Sequence, residues 1–212
     1  LYGLPGAGKG TQASYLVHQL GYIQLSTGAL IRQEIQAQSG LGQRVKKIID
    51  NGGLVDSQTV NELVEKFLNQ HVHQNLIFDG YPRTKDQAQS LDILLAKKNM
   101  KIDIVLNLKA DDDQVAQRIL GRIICEDCGE TYHEKFNPPV HHRCHTCGGH
   151  CLKKRSDDTP ETIKKRFASY YEQTYPVLAY YKEKGLVHDI DGMQAPDKVF
   201  QDIQEVLSKK SS

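Results

Sequence analysis

The run from Gly3 to Thr11 carries the clearest chemical pattern in the chain. It reads Gly-Leu-Pro-Gly-Ala-Gly-Lys-Gly-Thr, which fits G-x-x-x-x-G-K and places Gly10 where Ser or Thr usually follows the lysine. Closely spaced glycines permit backbone dihedrals that side chains exclude, so successive N–H groups can converge on one anion. A helical pattern follows from Gly10, and a helix N-terminus also favours phosphate. The pattern predicts a phosphate-binding loop in which Lys9 reaches the β- and γ-phosphate oxygens, rather than a flexible turn.

A carboxylate, Asp79, directly follows the apolar run Leu76-Ile77-Phe78, which predicts a buried strand. A carboxylate in that position can hold a water of a nucleotide-bound Mg²⁺ ion. The alternative is that Asp79 caps the next helix. The turn at Tyr81-Pro82 is constrained, and a cis peptide bond at Pro82 would direct Arg83 sharply.

A second anion receptor is expected from Thr27, Arg32 and Arg83. In an open parallel sheet, ligands bind beyond the carboxyl ends of the strands. Thr27 and Gly28 follow the short strand candidate 22–25, and Arg83 follows the strand that ends at Asp79. A hydroxyl and two guanidinium groups suit a phosphate distinct from the one at Lys9. Two phosphate sites imply two nucleotides.

Four of the five cysteines form two C-x-x-C pairs, Cys125/Cys128 and Cys144/Cys147, separated by 15 residues. This spacing is typical of a zinc ribbon. Four thiolates close a tetrahedral site without a position for water, so a structural Zn²⁺ is predicted in a segment that has few apolar residues. The alternatives are free or disulfide-bonded cysteines, or a nearby histidine in place of one thiolate. Cys151 is interpreted as a spare thiol.

Arginines stand at both borders of this cysteine segment. Arg118 and Arg122 precede it, and Arg155 and Arg166 follow it. Cations at both hinges of an inserted lobe indicate that its closure brings positive charge onto phosphates and excludes water. Surface solvation explains one such arginine more readily than four.

The composition is nearly neutral, with 27 basic and 26 acidic residues among 212 and a formal charge of +1. No global field therefore attracts nucleic acid or a membrane surface. Apolar runs stay below the roughly 20 residues of a membrane span, and no signal peptide pattern precedes the loop. A soluble, cytoplasmic protein with one main domain is expected. A phosphate loop normally follows a full strand, so a few strand residues are expected upstream of Leu1.

Strand candidates alternate with helical stripes along the chain, which predicts an α/β fold with a parallel sheet and right-handed crossovers. Helices are predicted from Gly10, after a cap at Ser26-Thr27-Gly28, from Asp56, over 87–98 and over 111–120. Strands are predicted over 102–108 and 186–190. A further helix begins at Pro160 and is kinked or ended by Pro176 near Tyr175, and a last helix spans 196–207.

Together these motifs resemble adenylate kinase of the long-lid, zinc-containing type, essentially from end to end. Besides the phosphate loop and the cysteine lobe, the resemblance rests on Ser26-Thr27-Gly28 with Arg32, Asp79 to Thr84 with Gln87, Phe136-Asn137-Pro138-Pro139 and Arg155 to Asp158. It implies a P-loop NTPase-like, five-stranded parallel sheet flanked by helices. It also implies a core of 1–25, 56–120 and 159–212, a helical NMP-binding insert of 26–55 and a zinc-binding lid of 121–158.

The resemblance also implies the reaction, Mg-dependent ATP + AMP = 2 ADP by a monomer, and the residues that bind each nucleotide. Catalytic roles fall to Lys9, Arg83, Arg122, Arg155 and Arg166. ATP would contact Gly6, Ala7, Gly8, Lys9, Gly10, Thr11, Arg118, Arg122, Thr131, Tyr132 and Gln194. AMP would contact Thr27, Arg32, Gly53, Leu54, Val55, Gly80, Tyr81, Pro82, Arg83, Gln87, Arg155 and Arg166. Gln87 would read the adenine edge.

Two positions depart from the family pattern. Ala29 stands where an Asp often follows Ser-Thr-Gly, and Ile123 stands where a second lid arginine commonly follows Arg122. Two other functions compete with this interpretation. One is a nucleoside monophosphate kinase with another acceptor or donor, such as UMP/CMP or GTP. The other is a nucleotide-gated zinc-ribbon module that binds nucleic acid, against which the neutral charge argues.

Overall fold

The computed structural model describes residues 1–50, 55–155 and 158–209. The helices are α1 (Lys9–Leu20), α2 (Thr27–Gln36), α3 (Gly40–Asp50), α4 (Ser57–Gln70), α5 (Lys85–Ala96), α6 (Asp112–Leu120), α7 (Pro160–Ser169), α8 (Tyr175–Glu183) and α9 (Pro196–Ser208). The strands are β1 (Tyr2–Gly3), β2 (Ile23–Ser26), β3 (Leu76–Asp79), β4 (Val105–Lys109), β5 (Arg122–Cys125), β6 (Thr131–His133), β7 (Leu152–Lys153) and β8 (Val187–Asp191). Helices and strands alternate, which confirms the α/β class.

The five strands predicted outside the cysteine lobe are present, in two paired groups. β2 and β3 are parallel, with a register from Ile23 opposite Leu76 to Ser26 opposite Asp79. The other group has the order β1-β4-β8. The amino group of Leu1 donates a hydrogen bond of 2.8 Å to the carbonyl oxygen of Phe78, so the start of the chain lies beside β3.

Contacts between Cα atoms divide the chain into two compact units. Unit 1 consists of Leu1–Tyr2, Ala13–Leu106 and Gln173–His188, and unit 2 consists of Gly3–Gln12, Asn107–Glu172 and Asp189–Ser212. No helix in the part of the chain that the structure describes is long and apolar enough to cross a membrane.

The core of unit 1 forms where α4 and α5 pack against the β2–β3 pair. Its buried members are Leu25, Val60, Val64, Leu68, Tyr81, Leu91 and Leu95. A second cluster joins β1 to α5 and α8 through Tyr2, Ala88, Val105, Val177, Leu178 and Tyr181. These apolar contacts fix the carboxyl end of β3, from which the Gly80–Arg83 turn projects.

Unit 2 contains the phosphate loop, α6, α7, α9 and the cysteine lobe. The lobe is a three-stranded antiparallel sheet with the order β6-β5-β7. Its small apolar cluster consists of Cys125, Tyr132 and Cys144, with Ile123 and Leu152 packed against it. The lobe therefore has few apolar residues with which to fold, as its composition predicts.

The predicted helix caps are confirmed. The Ser26 hydroxyl accepts a hydrogen bond from the Ala29 N–H at 3.4 Å, and the Asp56 carboxylate accepts one from the Thr59 N–H at 2.8 Å. Each side chain satisfies an N–H that has no partner within its helix. These caps set the starts of α2 and α4.

The long helix predicted from Pro160 is interrupted earlier than Pro176. α7 ends at Ser169, a π-helical segment spans Tyr170–Thr174, and α8 begins at Tyr175 with Pro176 in its first turn. Proline is tolerated there because first-turn N–H groups need no partner within the helix. In a continuous α-helix, Pro176 would remove one backbone hydrogen bond to the preceding turn. The π-helical segment lies at that preceding turn, where the regular α-helical hydrogen bonding is interrupted.

Candidate functional site

The phosphate loop lies in unit 2 and enters α1 at Lys9. Gly6 and Gly8 have φ values of +90° and +95°, which residues with side chains rarely adopt. A Cβ atom on Gly6 would stand 2.6 Å from Cγ1 of Ile119, so the loop packs closely on α6. A Cβ on Gly8 or Gly10 would meet no atom within 4 Å. The outer side of the loop is therefore open to an anion.

The ammonium group of Lys9 lies across the start of the loop. Its Nζ donates hydrogen bonds of 2.7 Å to the Gly3 carbonyl and 2.8 Å to the Leu4 carbonyl. These contacts hold a positive charge beside the backbone that the glycines shape. Within the loop, Ala7 is buried. Thr11, in the first turn of α1, is half-buried.

Arg118 binds the turn that follows β8, the turn in which Gln194 lies. Its guanidinium donates to the carbonyls of Gly192 at 3.0 Å and Met193 at 3.3 Å. A Cβ on Gly192 would lie 3.2 Å from the Ala7 carbonyl, so this turn also reaches the phosphate loop. The Gln194 side chain donates to Asp202 at 2.9 Å. The structure thus brings together three predicted ATP-side groups of unit 2.

Asp158 joins two of the predicted catalytic arginines. Arg122 donates to both carboxylate oxygens, from Nε at 2.9 Å and from Nη2 at 2.6 Å, and Arg166 donates at 3.4 Å. The carboxylate is 3% exposed, whereas Arg122 keeps 16% and Arg166 keeps 31% of the side chain exposed. Arg155 belongs to the same segment, since its carbonyl accepts from the Asp158 N–H at 3.2 Å. The residue pattern around Asp158 does not indicate these contacts.

The four paired cysteines form one cluster. Their sulfur atoms all lie within 4.8 Å of one another, with Cys125 to Cys147 at 3.6 Å and Cys128 to Cys144 at 3.5 Å. Zn–S bonds of about 2.3 Å in a tetrahedron imply sulfur separations of about 3.8 Å. All five cysteines of the chain are free thiols, which excludes the disulfide alternative. The donor set fits a tetrahedral metal ion.

Tyr132 supports this cluster from β6. It is 3% exposed, and its hydroxyl donates to the Cys144 sulfur at 3.2 Å while accepting from the His145 N–H at 2.7 Å. Burial opposes the Cys144 thiolate, but hydrogen bonds from Tyr132 and from backbone N–H groups outweigh it and lower the pKa of Cys144 to about 6. A thiolate is the form that binds a metal. Thr131 precedes Tyr132 and pairs with Ile124 in the lobe sheet. The predicted ATP contacts of Thr131 and Tyr132 stay predictions.

In unit 1, three predicted AMP-side residues meet at the end of β3. The Gly80 carbonyl accepts from the Thr27 hydroxyl at 3.1 Å and from Arg83 Nε at 2.8 Å. A Cβ on Gly80, where φ is +75°, would lie 3.2 Å from Nη2 of Arg83. Gly28 follows Thr27 in the chain, and the Arg32 side chain lies over it. A Cβ atom on Gly28 would lie 3.3 Å from Nη1 of Arg32. The hydroxyl of Thr27 and the guanidinium of Arg83 thus meet at the Gly80 carbonyl, and the guanidinium of Arg32 lies over the residue that follows Thr27.

Gln87 orients this turn. Its Oε1 accepts from the Arg83 N–H at 2.8 Å, and its Nε2 donates to the Ser57 hydroxyl at 3.1 Å. Both polar ends of the side chain therefore have protein partners, and its predicted contact with adenine stays a prediction. The cis peptide bond at Tyr81-Pro82 is confirmed.

Tyr81 is buried, and its hydroxyl donates to Asn61 Oδ1 at 2.6 Å. Burial raises its pKa to about 12, so the hydroxyl stays protonated at neutral pH. Val55 packs beside the unit 1 core. Gly53 and Leu54, also predicted to contact AMP, lie outside the described residues.

Asp79 does not cap the helix after it. The N-cap of α5 is Thr84, whose hydroxyl accepts from the Gln87 N–H. The Asp79 carboxylate instead accepts from Gln24 Nε2 at 3.0 Å, across the β2–β3 pair. The capping alternative is therefore wrong, and a carboxylate oriented at a strand end agrees with a role near Mg²⁺.

The chain matches known proteins over nearly its whole length. A family model described as adenylate kinase matches residues 1–186. The chain is 43% identical over 211 residues to an adenylate kinase of Enterococcus faecalis, covering 99% of this chain and 98% of that protein. It is 42% identical over 212 residues to an adenylate kinase of Novosphingobium aromaticivorans, with the same coverage, and 41% identical over 211 residues to one of Streptococcus thermophilus, covering 98% and 97%. On this evidence the chain belongs to the adenylate kinase family.

Proposed function

We propose that the chain performs the adenylate kinase reaction, ATP + AMP = 2 ADP, by direct in-line transfer between two nucleotides bound at the same time. The observation that supports this proposal is that two separate groups of donors each have the chemistry to bind a phosphate. One is the glycine loop with Lys9, and the other is Thr27 and Arg83 at the Gly80 turn, with Arg32 over the neighbouring Gly28. A nucleotide hydrolase would need only the first.

The ATP phosphates bind to backbone N–H groups from Gly6 to Thr11 and to the Lys9 ammonium group. Hydrogen bonds to two loop carbonyls already hold the Lys9 ammonium group beside the backbone that would bind the phosphates. Arg118 and the turn at Gln194 bind the adenosine of ATP, together with Thr131 and Tyr132 of the lobe. The hydrogen bonds from Arg118 to that turn support this assignment.

The AMP phosphate binds to Arg32 and Arg83, with Thr27, the segment 53–55 and Gln87 around the nucleoside. Arg83 is anchored at both its side chain and its N–H, through Gly80 and Gln87. A guanidinium that is fixed in this way pairs with a phosphate at a low entropic cost. Arg83→Ala is expected to lose orders of magnitude in turnover while the fold remains.

No general base is assigned, because an AMP phosphate oxygen is already a nucleophile. Catalysis depends on alignment and on neutralising charge on the transferring phosphoryl group. Lys9, Arg122, Arg155 and Arg166 supply that charge, and Asp158 aligns two of these arginines. Adenylate kinases use Mg²⁺ with ATP, and the ion when bound neutralises phosphate charge. Asp79 would hold a water of that ion.

The cysteine cluster holds a structural Zn²⁺ in this proposal. Four thiolates leave no open position on a tetrahedral ion, so the metal takes no part in the chemistry. Its function is to fold a lobe with a small apolar cluster. The lobe 121–158 closes over ATP, and the segment 26–55 binds AMP against the core formed by 1–25, 56–120 and 159–212. The protein acts in the cytoplasm as a monomer, with nucleotides rather than nucleic acid or membranes as partners.

The test is ADP formation from ATP with AMP, UMP, CMP and GMP in turn, with GTP as an alternative donor. AMP with ATP should give the highest kcat/KM. Faster turnover with UMP or CMP would favour another monophosphate kinase. No transfer to any monophosphate, together with salt-sensitive binding of nucleic acid in a filter assay, would favour the nucleic-acid module.

A further inference from the structure

The residue directly before the phosphate loop, Tyr2, makes a long-range hydrogen bond to the turn that carries Arg83. Tyr2 is 6% exposed, and its hydroxyl donates to the Pro82 carbonyl at 2.8 Å, a contact between residues 80 positions apart. Both residues belong to unit 1. The bond therefore joins β1 to the acceptor side of the proposed site.

The environment of Tyr2 explains its ring but not its hydroxyl. The ring packs in the apolar cluster of Ala88, Val105, Val177, Leu178 and Tyr181. An aliphatic side chain or phenylalanine would fill such a place on a buried strand. The hydroxyl adds a directed polar contact, and that contact goes to the turn next to Arg83.

The Gly80–Arg83 turn is held by polar contacts at successive residues. The Gly80 carbonyl accepts from Thr27 and from Arg83 Nε, and the Arg83 N–H donates to Gln87. Pro82 is buried and has no N–H, so its carbonyl is the only backbone hydrogen-bonding group that it offers. Tyr2 satisfies this carbonyl, which a buried position requires.

We propose that Tyr2 is a positioning residue of the acceptor site, which holds the Pro82 carbonyl and through it the direction in which Arg83 points. This inference rests on the proposed function, in which Arg83 binds the AMP phosphate. Tyr2 is not among the residues that we assign to either nucleotide. Its contribution is that the Arg83 guanidinium is preorganised before AMP binds.

The test is Tyr2→Phe, which keeps the ring and removes the hydroxyl. KM for AMP should rise about tenfold while KM for ATP stays unchanged, because one buried positioning hydrogen bond is lost on the acceptor side only. Tyr180→Phe is the matched control, since it removes a hydroxyl of unit 1 that donates to Asp92 at 2.7 Å, away from the turn. It should leave both KM values unchanged.

A double-mutant cycle with Arg83→Lys tests whether Tyr2 acts through Arg83. If it does, Tyr2→Phe changes KM for AMP much less in the Arg83→Lys background than in the wild type. Equal effects in both backgrounds would overturn the inference, as would an unchanged KM for AMP or an equal rise in KM for ATP. Wild-type protein that forms no ADP from AMP would instead defeat the proposed function itself.

Discussion

The buried carboxylate of Asp158 offers the sharpest prediction. Asp158→Asn keeps the shape of the side chain but replaces one acceptor oxygen by an amide donor, which faces the guanidinium of Arg122 or Arg166. Removing one partner of a buried ion pair costs about 3–5 kcal/mol. The lower end of that range applies, because Arg122 and Arg166 keep 16% and 31% of their side chains exposed. The free energy of unfolding should therefore fall by about 3 kcal/mol.

Asp158→Asn should also lower the turnover number. A displacement of about 1 Å in a catalytic group can cost about 100-fold in rate, and Asp158→Asn releases from one anchor the two arginines that we propose to be catalytic. We expect kcat for ADP formation to fall about 100-fold at a temperature at which the variant remains folded. Urea unfolding and a coupled assay for ADP measure the two effects.

Glu134→Gln is the control for the loss of a carboxylate charge in the same lobe. Glu134 pairs with Lys154 at 2.6 Å, but the two side chains are 42% and 55% exposed, and exposed pairs contribute little. This variant should keep wild-type turnover and stability. An Asp158→Asn protein with near-normal kcat would refute the claim that Asp158 aligns the arginines.

Three other predictions concern the phosphate loop, the cysteine cluster and the cap of α4. Lys9→Ala should reduce kcat by at least about 100-fold with an unchanged circular dichroism spectrum, because a charge-stabilising donor is lost; near-normal turnover would refute its role. Metal analysis should find one zinc per chain, and a chelator should lower the melting temperature because metal binding contributes on the order of 10 kcal/mol to such a lobe; an unchanged melt would contradict this. The hydrogen bond from the Thr59 N–H lowers the pKa of Asp56 below its ordinary value of 3.8. The stabilisation by this cap is therefore fully present above pH 3.8 and is lost as the pH falls through the lowered pKa of the folded protein. Urea unfolding should show that Asp56→Ala costs about 1 kcal/mol at pH 7 and progressively less below pH 3.8, whereas a constant difference would contradict the assignment.

Local sequence patterns predict the parts of this fold that depend on local physics. The caps at Ser26 and Asp56 are recognisable because an N-cap hydroxyl or carboxylate bonds to an N–H three residues ahead. The cysteine cluster is predictable because the spacing of two C-x-x-C pairs alone indicates four thiols around one metal ion. The glycine loop is recognisable because its backbone angles exclude other residues.

Contacts between distant residues could not be predicted in this way. Nothing in the spacing of Tyr2 and Pro82 indicates a hydrogen bond across 80 positions. The burial of Tyr132 against Cys144 depends on how the lobe strands pair. The burial of Asp158 could not be predicted either, because an aspartate is usually exposed, and its 3% exposure follows from tertiary contacts with Arg122 and Arg166.

Simultaneous binding of two nucleotides is the central claim, and a compound that joins two adenosines through a polyphosphate bridge tests it most directly. Calorimetric titration should give one molecule bound per chain, and this compound should compete with both ATP and AMP. Competition with ATP alone, or binding of two molecules per chain, would contradict the proposal that one site holds both substrates in line.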